Sequence, residues 1–205
     1  MKFIVLVAAA VLGFAGQAAA QSSKTATFTE LVAPIAFYPD VLVAQVLAAS
    51  THPDEIGNAG AWLDGEHSWD ARQLAQEVDG NHWHPDIKAL ALTRPVLETM
   101  RRNVQWAKAL GEAYASNPSG VVAAVQAVRH KAQAAGELVS SSGQRVVVAG
   151  AMIHLEPVDA QYVYVPGAGV FDVAAYERFG WGWHAWQINW TKGDVRYQDA
   201  PLASD

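Results

Sequence analysis

Residues 94–136 read RPVLETMRRNVQWAKALGEAYASNPSGVVAAVQAVRHKAQAAG, and the spacing of their apolar residues decides the fold class. Val96, Met100, Val104, Ala107, Leu110 and Tyr114 share one face at helical spacing, as do Val121, Val125, Val128, Ala132 and Ala135. Both stretches therefore read as core helices. Asn117-Pro118-Ser119-Gly120 separates them, and Gly136 stands where a left-handed cap would close the second. The pair reads as an antiparallel hairpin.

Toward the N-terminus, from Phe28 onward, the chain reads as successive short helices punctuated by proline. Tyr38-Pro39-Asp40, His52-Pro53-Asp54 and His84-Pro85-Asp86 each place proline at a helix start, where its missing N–H is no loss and the adjacent acid faces the positive helix end. Val41, Leu42, Val46 and Leu47 lie where a core helix would put them. Toward the C-terminus, beyond Ser140-Ser141-Ser142-Gly143, the period changes from helical to extended. Arg145 to Val148 and Ala151 to Leu155 flank Ala149-Gly150 as a β-hairpin, and Gln161 to Val165, closed by Pro166, is placed to add a third strand. Because an isolated hairpin is marginal in water, this element should pack on the helices. The expected class is α+β, mainly α: a bundle of short helices over about 28–135, a small antiparallel β element, and an irregular aromatic tail.

Met1 to Ala20 has the layout of a cleavable secretory signal: Lys2, then an apolar run from Phe3 to Phe14, then Ala18-Ala19-Ala20. That run is shorter than the roughly 20 residues a permanent span needs. Processing leaves a chain beginning near Gln21, with residues 21–27 flexible, a helical domain over 28–136, the β element over 144–166 and a Gly/Trp-rich tail over 167–205. No cysteine is present, so neither a disulfide nor a thiol-linked lipid anchor is available. Loss of Lys2 leaves 13 basic residues against 20 acidic, a net charge of −7. That balance, with its scattered Lys and Arg, disfavours nucleic acid.

The run Leu31 to Thr51 (LVAPIAFYPDVLVAQVLAAST) resembles the opening of a bacterial exported family, domain of unknown function 3300. The similarity continues through Ala61-Trp62-Leu63, Trp83, Pro85 with Lys88-Ala89-Leu90, Trp106, Gln144 to Val148, Glu156-Pro157 and Gln161 to Pro166, covering most of the processed chain. The resemblance implies an envelope protein, periplasmic in a Gram-negative bacterium, and brings no catalytic residue with it. His52 stands where that pattern has Tyr, and His84 where it has Asp.

Two clusters are candidates for function. Trp181, Trp183, Trp186 and Trp190 lie within ten residues of one another; they suit stacking on a glycan, seating in a membrane interface or docking to a partner, or else simply cover the sheet. His82, His84 and Asp86, with His52, Glu66 and His67 upstream, would suit a zinc or copper ion if they converge, and otherwise are polar loop residues before a helix. Catalytic signatures are lacking: Ser140 to Ser142 carry no Gly-x-Ser-x-Gly elbow, His154 lies in a strand pattern, and Gly167-Ala168-Gly169 is no phosphate cradle. The leading expectation is a non-enzymatic envelope protein that binds a partner protein or cell-wall component through its aromatic surface, without a cofactor. A metal-binding protein is the alternative, and a cell-wall hydrolase the least supported reading.

Overall fold

The computed structural model describes residues 27–65 and 68–202. Residues 1–20, read above as a secretory signal, the expected flexible start over 21–26, Glu66 and His67 lie outside the described residues. After a helical stretch over 27–32, seven helices follow among the described residues: α1 (Asp40–Ala49), α2 (Pro53–Leu63), α3 (Ala71–Asp79), α4 (Pro85–Leu92), α5 (Arg94–Arg102), α6 (Val104–Ser116) and α7 (Pro118–Ala134). Then come β1 (Gln144–Ala149), β2 (Met152–Pro157), β3 (Tyr162–Val165), β4 (Gly169–Asp172), β5 (Trp186–Asn189), β6 (Asp194–Tyr197) and β7 (Ala200–Pro201). The class is α+β and mainly α, as the periodicity required.

α1 is the axis of the structure. Every residue from Leu42 to Ser50 is buried, and α4, α6, β2, β5 and β6 pack around it. Beyond Asp40 and Val41 its sequence, apolar on all sides apart from Gln45, is that of a helix with no solvent face. Pro53 and Pro85 open α2 and α4 at the first helical position, whereas Pro39 is the residue just before α1 and Asp40 begins it. Asp70 caps α3 by accepting from the backbone of Arg72 and Gln73, while Gln73 reciprocates to the Asp70 N–H. α6 and α7 form the expected hairpin, with the Asn117 side chain accepting from Gly120 N at 2.9 Å. Gly136, at φ 73°, closes α7: its N–H reaches Gln133 O at 3.0 Å and Glu137 N reaches Ala132 O at 2.9 Å, both bonds of a Schellman cap.

Three expectations are corrected. The first of the two helices is broken at Asn103, whose φ −115° and ψ 46° are not helical; its side-chain amide and its backbone N–H both donate to Thr99 O. The face therefore rotates there, and Val104 is 40 % exposed while Val96, Met100, Ala107 and Leu110 are buried. Second, Tyr162–Val165 is a strand but does not extend the β1–β2 hairpin; it pairs with Gly169–Asp172. Third, the tail is largely regular: β5, β6 and β7 form an antiparallel sheet that packs on α1 and α7. None of the helices among the described residues is long and apolar enough to cross a membrane.

Candidate functional site

Two polar assemblies are built around the ends of α1. At its N-terminus, Arg129 of α7 is fully buried. Its guanidinium donates to Ala36 O at 2.8 Å, Tyr38 O at 3.0 Å, Ile153 O at 2.8 Å and Asp40 Oδ1 at 2.6 Å, and lies 4.9 Å from the centre of the Trp190 ring. Burial pulls its pKa down and Asp40 opposes that shift; a guanidinium remains a cation regardless. Asp40 in turn accepts from Leu155 N at 3.1 Å, His154 Nδ1 at 2.9 Å and Trp190 Nε1 at 3.0 Å. A carboxylate facing Arg129 is an acceptor only, so His154 must carry its proton on Nδ1. This clasp fastens the turn before α1 to α7, β2 and the tail. An open groove of about 260 Å³ beside it is lined by Asp40, His154, Trp186 and Trp190 among others.

At the other end of α1, a cavity of about 360 Å³ lies between the α1–α2 junction, α6 and β6. Ser50, Thr51, His52, Pro53, Asp86 and Lys108 line it, together with Glu112, Tyr114, Pro118, Asp194 and Leu202. Gly111 belongs to the wall because α6 passes so close to α1 that a Cβ there would meet Ser50 O at 2.0 Å. Asp86 is 2 % exposed; one of its oxygens accepts from Ile87 N at 2.7 Å and the other lies 3.3 Å from His52 Nδ1. The Tyr114 hydroxyl accepts from Val195 N at 2.9 Å, and burial, with the Asp194 carboxylate adding to it, pushes that phenol up. Asp194 Oδ1 is shut away from solvent and has no hydrogen-bond partner among the described residues.

Residues 24–200 match the family described as "Protein of unknown function (DUF3300)". The chain belongs to this family. A similar protein is "Uncharacterized protein YacH" of Escherichia coli (strain K12), 36 % identical over 124 residues, which are 60 % of this chain and 20 % of that relative. The chain thus aligns with about one fifth of that longer protein. No solved structure matches.

The residues singled out in this DUF3300 chain are distributed unevenly. His52 and His84 stack face to face, ring centres 3.7 Å apart and planes 16° from parallel. His84 Nδ1 lies 2.7 Å from Glu55 Oε1 while its backbone N–H takes the other oxygen. Each ring thus turns its Nδ1 to a separate carboxylate. His82 is exposed and makes none of these contacts. Among the described residues no group of three or more His, Asp or Glu is placed to hold a metal ion. Three of the four tail indoles face inward: Trp181, Trp183 and Trp186 are 4 %, 3 % and 1 % exposed. Trp181 donates to Asp79 Oδ1 at 2.8 Å and Trp186 to Trp181 O at 3.1 Å. Trp190, half-buried, covers Arg129. In this conformation these rings are packing, and the aromatic docking surface expected from the sequence is not formed by Trp181, Trp183 or Trp186.

From the sequence, Arg129 and Asp194 were not singled out and Tyr114 was read only as a core residue. Arg129 carried a signal, a cation set between Val125 and Ala132 on an apolar helix face, where only a buried acceptor set could tolerate it. Asp194 carried none, since its place in the cavity depends on a hairpin that turns at Gly193.

Proposed function

We propose that this chain is exported through its leader at residues 1–20 and serves the periplasmic envelope as a non-enzymatic binding module, taking a small molecule or a projecting group of an envelope component into the cavity between α1, α6 and β6. The cavity carries this reading. Its volume of about 360 Å³ lies within the range of small-molecule pockets, and apolar Pro53, Pro118 and Leu202 line it together with polar and charged side chains. Its two aliphatic hydroxyls are bonded to the backbone of α1: Ser50 Oγ donates to Leu47 O at 2.6 Å and Thr51 Oγ1 to Ala48 O at 2.7 Å, with His52 Nδ1 3.3 Å from Thr51 Oγ1. Alignment to one fifth of a longer relative suits a module used within larger proteins.

The test uses Ala115→Trp, a substitution at an exposed position of the cavity wall. Purified wild type and variant are dialysed against the small-molecule fraction of an envelope extract, and retained compounds are read by mass spectrometry. Wild type should enrich a component that the variant does not. Identical profiles would overturn the reading.

A further inference from the structure

We propose that the open groove beside the Asp40 clasp takes an extended segment of another polypeptide, which pairs with the free edge of β5 at Ile188. This site is separate from the cavity between α1, α6 and β6. Among the described residues β2 pairs only with β1, and β5 only with β6, so each strand has one open edge. Leu155 of β2 and Ile188 of β5 both line the groove of about 260 Å³. Their main-chain groups point away from their own sheets. Val195, the partner of Ile188 in the register, gives its N–H to the Tyr114 hydroxyl and accepts from Leu202 N on its carbonyl. The pair is therefore the non-hydrogen-bonded kind, and Ile188 turns its own N–H and C=O away from β6. Leu155 stands in the same relation to Val146, whose N–H goes to Ser140 Oγ while that of Leu155 goes to Asp40.

An open edge is a template for a further strand, and folds close the edges they do not use. Here only one is closed. On β2, Gln126 takes both the N–H and the C=O of Ile153, Arg129 adds a second donor to that carbonyl, and Asp40 takes the Leu155 N–H. On β5, nothing among the described residues takes the N–H or the C=O of Ile188, although Ile188 is half-buried and main-chain groups with restricted access to water call for partners. Val41, Leu155, Pro157 and Trp190 give the groove an apolar lining. These features define the occupant: a donor and an acceptor at strand spacing toward β5, with small apolar side chains at alternate positions toward the lining. An extended peptide supplies both, as in strand addition to a sheet edge.

The test titrates the purified chain with two soluble peptides, acetyl-Lys-Val-Thr-Val-Lys-amide and its form with Ala for Val, and with the first peptide N-methylated at every central residue. Amide hydrogen exchange, followed residue by residue by NMR, reports the site. At least one unmodified peptide should bind and slow exchange at Ile188 about ten-fold or more, the scale of one or two main-chain hydrogen bonds. The N-methylated peptide, with the same side chains and no central donors, should do neither. Ile188→Pro removes the N–H at an edge position that tolerates proline and should weaken binding by a similar factor. If near-ultraviolet circular dichroism shows that this variant loses native packing, exchange at Ile188 in the wild type decides alone. No binding of either unmodified peptide at millimolar concentration would overturn the proposal, as would equal binding of the N-methylated peptide. Binding that leaves exchange at Ile188 unchanged, or is undiminished in a folded Ile188→Pro, would overturn it by placing the site elsewhere. Protection of Ile188 that rises with protein concentration in the peptide-free chain would overturn it by giving the groove to a second copy.

Discussion

Arg129 is buried with one formal counter-charge and three backbone carbonyls, so its replacement strands four acceptors on two segments, the turn over 36–40 and β2. Arg129→Ala should lower the unfolding free energy by about 3–5 kcal/mol, the usual loss when one partner of a buried pair is removed. Arg129→Lys should recover less than half of that, because an ammonium lacks the planar fork that reaches Ala36, Tyr38, Asp40 and Ile153 together; urea titration of the three proteins checks both. Gln45 is the opposite case. It sits wholly enclosed in α1, and neither of its amide atoms has a hydrogen-bond partner among the described residues. Gln45→Met, close in volume and without the polar atoms, should raise stability by about 1–3 kcal/mol. A lower urea midpoint would show that the amide has a partner after all.

The elements divide by whether their ends are written locally. Pro53, Pro85, Asn117-Pro118 and Gly136 act on residues within one turn, and each of them marks in the structure the helix end it marks in the sequence. The break at Asn103 was not legible, because Val104 keeps the apolar period and only the rotation of α6 onto α1 exposes it. The strands of the tail were equally hidden: β5 and β6 are four residues each, too short to establish an alternation, and take their shape from the helix they cover. α5 carries a pH-dependent contribution of its own. Glu98 accepts from Arg101 and Arg102, and those bonds, led by the one from Arg101, hold its carboxyl at about 2 against an ordinary 4.5. A depressed folded-state pKa stabilises above the unfolded value and is lost as pH falls through the folded one. The urea-midpoint difference between wild type and Glu98→Gln should therefore be complete at pH 6 and shrink between pH 4.5 and about 2. A difference that is constant across that window would exclude the carboxylate as its source.

For the molecule as a whole, the class and the helical core were readable because burial repeats at a fixed period. The clasp around Asp40 was not, since its partners lie 89, 114, 115 and 150 positions along the chain, whereas His52 and Asp86 of the cavity wall were already marked by their histidine and acid chemistry. The tail is therefore structural material and not an appendage. A chain ending at Pro166 should keep much of its far-ultraviolet helix signal yet bind a hydrophobic dye and lose its sharp urea transition, because α1 is uncovered; a sharp transition in that truncated chain would refute this role. The central position of α1 also sets a timetable for biogenesis. Its residues leave the ribosome roughly 140 residues before the strands that shelter them, a wait on the order of ten seconds at ordinary synthesis rates. Through that interval the most water-averse helix among the described residues stays open to any passing contact, so a holding chaperone has its natural handle at Leu42 to Ala49.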